Sequence, residues 1–308
     1  MADQIIQQYE SMKASSDAPV FLHAVTMQNH TNYNKDNYPD DQRVKVLNAP
    51  SGISRSTLGA LEDFATGIRD ADAMLGRLTD YFSQVDEPVI LVFWGDHYNP
   101  IDSNYDVFTK SGYASDSSAD PRLHQTTLLM WSNYSQQPVD LGTIAAYDIS
   151  PVMMNIYGLK QPLYFQYLNR QLQVAYRTNT RGTVMNRDGT TTQEPTALQQ
   201  QWSANHWLLQ YDLMFGKGYA LSRMGMEAWK RCRPANKRKL QNLFVKNTEK
   251  LLNPRPFCAI IIQHYTRITM PFVPSGWRAV RPVRYGALIT VCGGKTISGG
   301  ILLWQSFL

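Results

Sequence analysis

The residues best equipped for chemistry stand at the end of one apolar run. Val89 to Trp94 is six consecutive apolar residues, three of them β-branched, and Gly95 breaks the run just before Asp96 and His97. An unbroken apolar stretch of this length reads as a strand buried on both faces, the habit of a central parallel strand. Asp96 and His97 then fall at the carboxyl edge of the sheet, where open α/β folds hold their ligands. A carboxylate oxygen beside an imidazole nitrogen suits zinc, manganese or iron better than calcium. The same pair would also serve a plain turn, with Asp96 capping the following backbone and His97 incidental.

A second candidate lies earlier. Pro19 to Thr26 reads as a strand that runs into the polar loop Met27-Gln28-Asn29-His30-Thr31-Asn32-Tyr33. A histidine at a strand's exit can contact a ligand, although a loop histidine is often only a solvated side chain. His124, near the start of a third stretch of strand character at 123–131, reads as a polar residue at a sheet edge.

These residues need elements to position them. Ile5, Ile6, Tyr9 and Met12 give residues 1–15 a helical apolar spacing. Residues 34–50 carry no period and read as a surface loop. From Ser56 or Thr57, apolar residues at three-and-four spacing run to Phe82, about seven turns of helix, with Asp63, Arg69, Asp70, Asp72, Arg77 and Asp80 as a solvated face. Strand, loop, helix and strand in this order make a crossover unit. Residues 99–122 then form a loop region over the site. Helices are expected at 146–159, ended by Gly158, at 163–176 and at 198–216, with a polar hairpin at 177–193 around Asp188-Gly189.

The overall charge of +5 conceals a break. Residues 1–222 hold 15 Lys/Arg against 23 Asp/Glu, while residues 223–308 hold 15 against 2 and contain all of Cys232, Cys258 and Cys292. A basic balance points to nucleic acid or an anionic surface, but here that inference belongs to the tail alone. No apolar leader opens the chain, and the nearest candidate span, 285–308, is interrupted by Gly293-Gly294-Lys295 and Gly299-Gly300. On these features the chain, as it stands, would be cytoplasmic.

Three blocks in order, Phe21 to His30, Phe93 to Tyr98 and Leu141 to Leu159, resemble the lipoteichoic acid synthase family, sulfatase-like phosphoglycerol transferases of the alkaline phosphatase superfamily. The resemblance covers roughly residues 1–222. It implies an α/β fold: part of an alkaline-phosphatase/sulfatase-like three-layer sandwich with a largely parallel sheet, followed by an unrelated basic tail at 223–308. It implies that Asp96 and His97 bind a divalent metal, Mn2+ or Zn2+, and that His30 contacts the phosphate or glycerol of the substrate. The implied partners are phosphatidylglycerol or a glycerol-phosphate polymer at the cell membrane, where the family's catalytic domain is extracellular.

The departures are equally specific. The family's metal-binding Glu and nucleophilic Thr precede the Thr-Met-x-Asn-His loop by tens of residues, and only 25 residues precede Thr26. Glu10-Ser11 imitates part of that motif, but it sits on an amphipathic helix with no buried strand before it. No catalytic residue is therefore assigned. The expectation is the carboxyl-terminal half of a catalytic domain, inactive alone, weak in metal binding, and with sheet strands left as open edges. The tail's shift in charge, cysteine use and periodicity looks like translation in a shifted frame. A non-catalytic module binding phosphoglycerol or a teichoic polymer is the alternative, and binding of nucleic acid or an anionic surface through the tail ranks last.

Overall fold

The structure is a computed structural model and describes residues 1–30, 33, 37–97, 99–115, 120–135, 137–174, 184–185, 191–192, 194–223, 258–264 and 288–292. Two compact units divide the chain, Met1–Gln136 with Phe257–Val291, and Gln137–Pro256 with Cys292–Leu308.

In the first unit, helix α1 (Ala2–Ser15) leads into strand β1 (Val20–Thr26), and helix α2 (Arg55–Phe82) leads into strand β2 (Val89–Gly95). Helix α2 begins one residue earlier than its apolar period suggests, because the Ser54 hydroxyl accepts a hydrogen bond from the Thr57 amide at 3.0 Å and caps the first turn. A short helix α3 (Asp106–Lys110) interrupts the loop after β2, and β3 (Leu128–Ser132) follows.

The second unit is mainly helical. It holds α4 (Ile149–Ile156), α5 (Leu163–Val174), the two-stranded pair β4 (Val184–Met185) and β5 (Thr191–Thr192), α6 (Ala197–Met214) and α7 (Tyr219–Arg223). Its buried His206 lies 3.2 Å from the Tyr164 hydroxyl and edge-on to Tyr147. Burial pushes the hydroxyls of Tyr164 and Tyr167 up to about 12.

Two further strands complete the sheet of the first unit, β6 (Cys258–His264) and β7 (Leu288–Cys292). The strand order is β3-β2-β6-β1-β7, with β6 parallel to both β1 and β2 and with β3 antiparallel to β2. The fold is thus mixed α/β with a mostly parallel sheet. Residues that the charge break groups with the tail supply two of its five strands. Sheet strands are expected to be left as open edges; β1 and β2 leave none towards each other, because β6 pairs with both. A net charge summed over 86 residues hides this: Cys258 to Ile262 is itself an apolar, Ile-rich run, the composition a doubly flanked parallel strand needs. Residues 224–257, with the basic runs Lys230-Arg231 and Lys237-Arg238-Lys239, lie outside the described residues.

The core sits between this sheet and the first two helices. Val20, Cys258 and Val89 lie in one register row and Leu22, Ile260 and Leu91 in the next. All six are buried together with Ile5, Tyr9, Leu78 and Phe82. The start of β2 is fixed by Asn133, whose side-chain oxygen accepts from the Val89 amide at 2.8 Å while its amide nitrogen donates to the carbonyls of Phe82, Val85 and Glu87. One side chain therefore sets the turn from α2 into the strand that carries Asp96.

Candidate metal centre and substrate site

Strand β2 delivers its last residues to the carboxyl edge in close contact with the chain returning towards β3. The Gly95 amide donates to the Thr127 carbonyl at 3.2 Å, and the Thr126 hydroxyl donates to the Gly95 carbonyl at 2.8 Å. A Cβ at position 95 would stand 3.0 Å from the Thr126 Cβ, so glycine permits this approach. Asp96 Oδ1 accepts from the His97 amide at 2.9 Å, which is the capping turn the sequence allows. Its Oδ2 lies 3.4 Å from His97 Nε2. The turn thus leaves one carboxylate oxygen and one imidazole nitrogen side by side.

Strand β1 delivers the second loop to the same edge. The His30 amide donates to the Met27 carbonyl at 3.1 Å, closing a turn that leaves His30 half-buried on the wall of a cavity of about 350 Å3. Gln28, Asn29, Asn37 and Asp63 share that wall. Asn29 is 1% exposed, and its amide nitrogen makes no hydrogen bond among the described residues. Its side chain lies against Gly67 of α2, where any Cβ would collide with Asn29 Oδ1. Asp63, read as part of a solvated face, is instead 2% exposed and accepts from the Asn37 amide at 2.6 Å.

The two loops are tied together. Asn99, three residues after Asp96, donates to the Asn29 carbonyl at 3.4 Å and hydrogen-bonds the Tyr33 hydroxyl, which itself donates to the Asn29 carbonyl. Asn99 Oδ1 also accepts from the Ile101 amide at 3.1 Å, and Ile101 adopts a φ of 60°, strained for a β-branched residue. Structure therefore brings the His30 loop and the Asp96-His97 loop into one polar network. His124 is an exposed residue that ends the short turn Pro121–His124. Glu10 lies on exposed α1 surface, where it accepts from the Tyr81 hydroxyl at 2.9 Å. Periodicity and motif reading give no role here to Asp63 and Asn99, and they name Asn29 only as part of the Thr-Met-x-Asn-His loop; the signal for Asn99 is an Asn just past the exit of its strand.

The sulfatase family model matches residues 1–159, more than half of the chain. The chain belongs to the sulfatase family. His30, Asp96 and His97 all lie within the match, and β6 lies beyond it. Sulfatases are generally metal-dependent. A Rhizobium meliloti (strain 1021) protein assigned to cyclic beta-1,2-glucan modification is 25% identical over 238 residues, which cover 72% of this chain and 35% of that protein. The chain thus spans about a third of that relative's length. Among solved structures, the Streptococcus pyogenes phosphoglycerol transferase GacH in complex with sn-glycerol-1-phosphate matches with a TM-score of 0.45 and 17% identity, covering 56% of this chain and 40% of GacH.

As a test of metal fit, Asp96 and His97 have the donor chemistry of a Zn2+ or Mn2+ site. They amount to half of a four-ligand shell, and among the described residues no group of three or more His, Cys, Asp or Glu side chains is gathered to hold an ion. None of the described helices is long and apolar enough to cross a membrane.

Proposed function

We propose that the chain carries part of the active site of a sulfatase-like phosphoglycerol transferase, acting on glycerol-phosphate esters in cell-envelope polymer synthesis. The carrying observation is the oxygen-nitrogen pair of Asp96 and His97, 3.4 Å apart at the carboxyl edge of β2 and linked through Asn99 to the loop of His30. Asp96 and His97 hold Zn2+ or Mn2+, which when bound withdraws charge from phosphoryl oxygens and lowers the pKa of an attacking hydroxyl. His30 hydrogen-bonds the phosphate or glycerol from the cavity side, and Asn29 offers an uncommitted amide donor beside it. Asn99 and Tyr33 keep the two loops in register, so that a bound phosphoester spans both. No Thr nucleophile is assigned, and the chain alone binds the ester without transferring it. The relative's name favours a glucan as acceptor, alongside a glycerol-phosphate polymer of the lipoteichoic acid kind.

Titration of sn-glycerol-1-phosphate with and without Mn2+ tests this reading. Binding should need the metal, disappear in Asp96→Ala and weaken by about tenfold in His30→Ala, the scale on which single site partners act. Binding untouched by metal and by Asp96→Ala would overturn it. Metal-independent binding lost only in His30→Ala would instead establish the non-catalytic module, which the cavity beside His30 favours.

A further inference from the structure

Strand β3 closes one side of the described sheet, and its ladder with β2 fixes which way its backbone groups point. The Asn133 amide donates to the Val89 carbonyl at 3.2 Å, and the Gly95 amide donates to the Thr127 carbonyl at 3.2 Å. Antiparallel pairs alternate between bonded and non-bonded, so Trp131 with Leu91 and Leu129 with Phe93 are the bonded pairs in between. The N–H and C=O groups of Leu128, Met130 and Ser132 therefore point away from β2. None of these groups meets a hydrogen-bond partner among the described residues. Nothing in the sequence guards this edge either: Gln125 to Ser135 contains no charged residue, no proline and no glycine. Edge strands are ordinarily blunted by lysine, proline or a bulge, and here Leu129 adds an apolar side chain that is 40% exposed.

We propose that the outer edge of β3 pairs with β3 of a second copy of this chain, antiparallel across a two-fold axis at Met130. The outward residues are symmetric about that position. Leu128 meets Ser132 of the partner subunit and Met130 meets Met130 of the partner subunit, and each pair can exchange both of its backbone hydrogen bonds. Between them Leu129 faces Trp131 of the partner subunit, which covers the exposed leucine. The edge carries no charge that would select a foreign strand, and pairing with itself brings no like charges together. One patch used twice is the arrangement of a two-fold dimer, and it joins the two sheets into one.

Sedimentation velocity on the full chain over a concentration series tests this. The unsubstituted chain should dimerise. Met130→Lys and Met130→Glu each set like charges opposite one another at the axis and should weaken dimerisation by at least about tenfold. An equimolar mixture of the two variants should restore it, because opposite charges then meet. Residue-resolved hydrogen exchange decides the matter if the variants fail to fold. In the unsubstituted chain, raising the protein concentration should slow exchange of the Leu128 and Met130 amides and leave those of Leu129 and Trp131, already bonded to β2, unchanged. A chain that stays monomeric, with the Leu128 and Met130 amides indifferent to concentration, would overturn the proposal. A dimer that survives Met130→Lys and leaves those two amides unprotected, such as one built through the exposed Trp207, Tyr211 and Phe215 of α6, would overturn it as well.

Discussion

Strands β2 and β6 lie side by side in one parallel sheet, yet they come from opposite kinds of sequence. β2 follows directly from its own helix, its start is fixed by Asn133, and it pairs with the antiparallel β3 downstream. β6 comes from the basic, Cys- and Pro-containing region and meets β2 only through tertiary pairing, beginning where the Cys258 amide donates to the Pro88 carbonyl at 2.8 Å. Local connectivity thus specifies one strand and the slot between two others specifies the second. Both slots demand the same thing, a short apolar run that satisfies backbone groups on each side and buries both faces.

The largest expected effect tests whether the two strands are energetically equivalent. Leu91 and Ile260 are both fully buried, occupy one register row and belong to the same core. Each truncation, Leu91→Ala or Ile260→Ala, should lower the unfolding free energy by about 2–5 kcal/mol in urea denaturation, through lost transfer energy plus the cavity left behind. A near-neutral Ile260→Ala beside a costly Leu91→Ala would break the comparison and remove β6 from the native sheet.

The same contrast explains what is legible in the sequence. Val89 to Trp94 announces a buried strand, Gly95 announces its end, and Asp96-His97 can then be placed at the edge from residue types alone. Helix α2 is readable because its apolar period runs through Phe82 with few interruptions. Asp63 is not: a carboxylate at helical spacing with other charges looks solvated until the loop bearing Asn37 covers it. Residues 258–264 are hidden for a related reason. Their pairing partners lie more than 160 positions away, and neither periodicity nor composition reports non-local pairing.

If the contrast concerns β6, the strands flanking it must hold their exits firmly, and Gly67 tests the β1 side. Gly67→Ala drives a methyl into Asn29 Oδ1 and should destabilise by about 1–3 kcal/mol, the usual cost of overpacking. It should also displace the His30 loop, seen as a shifted imidazole resonance. Gly76, on the same helix, is the control, because a methyl added there would meet nothing within 4 Å. Gly76→Ala should stabilise by about 0.4–1 kcal/mol, because alanine restricts the unfolded chain. Equal effects at the two glycines would mean that Asn29 does not lean on α2.

On the β2 side the smallest effect is a pH dependence. Asp120 is buried and caps the turn that brings the chain back to β3: it accepts from the Ser115 amide at 2.8 Å and from the Arg122 amide at 2.9 Å, and it pairs with the Arg122 guanidinium at 2.7 Å. The Arg122 guanidinium first, and then the two amides, hold its carboxyl well below the usual carboxylate range. A lowered folded-state pKa stabilises the fold above the unfolded value of about 3.9, and that stabilisation is lost as pH falls through the folded value. Acidification from pH 5 to 3 should therefore lower the hydrogen-exchange protection factors of β3, corrected for the intrinsic rate at each pH, before those of β6. Asp120→Asn should remove the difference, because its side chain does not titrate. What the structure describes of β6 is its backbone pairing with β1 and β2 and the burial of Cys258, Ala259 and Ile260, none of which titrates between pH 5 and 3, so its protection should stay level over the same range. Loss of β6 protection in step with β3 would mean that the two strands unfold as one unit, and that the inserted strand is fastened as firmly as the one beside it.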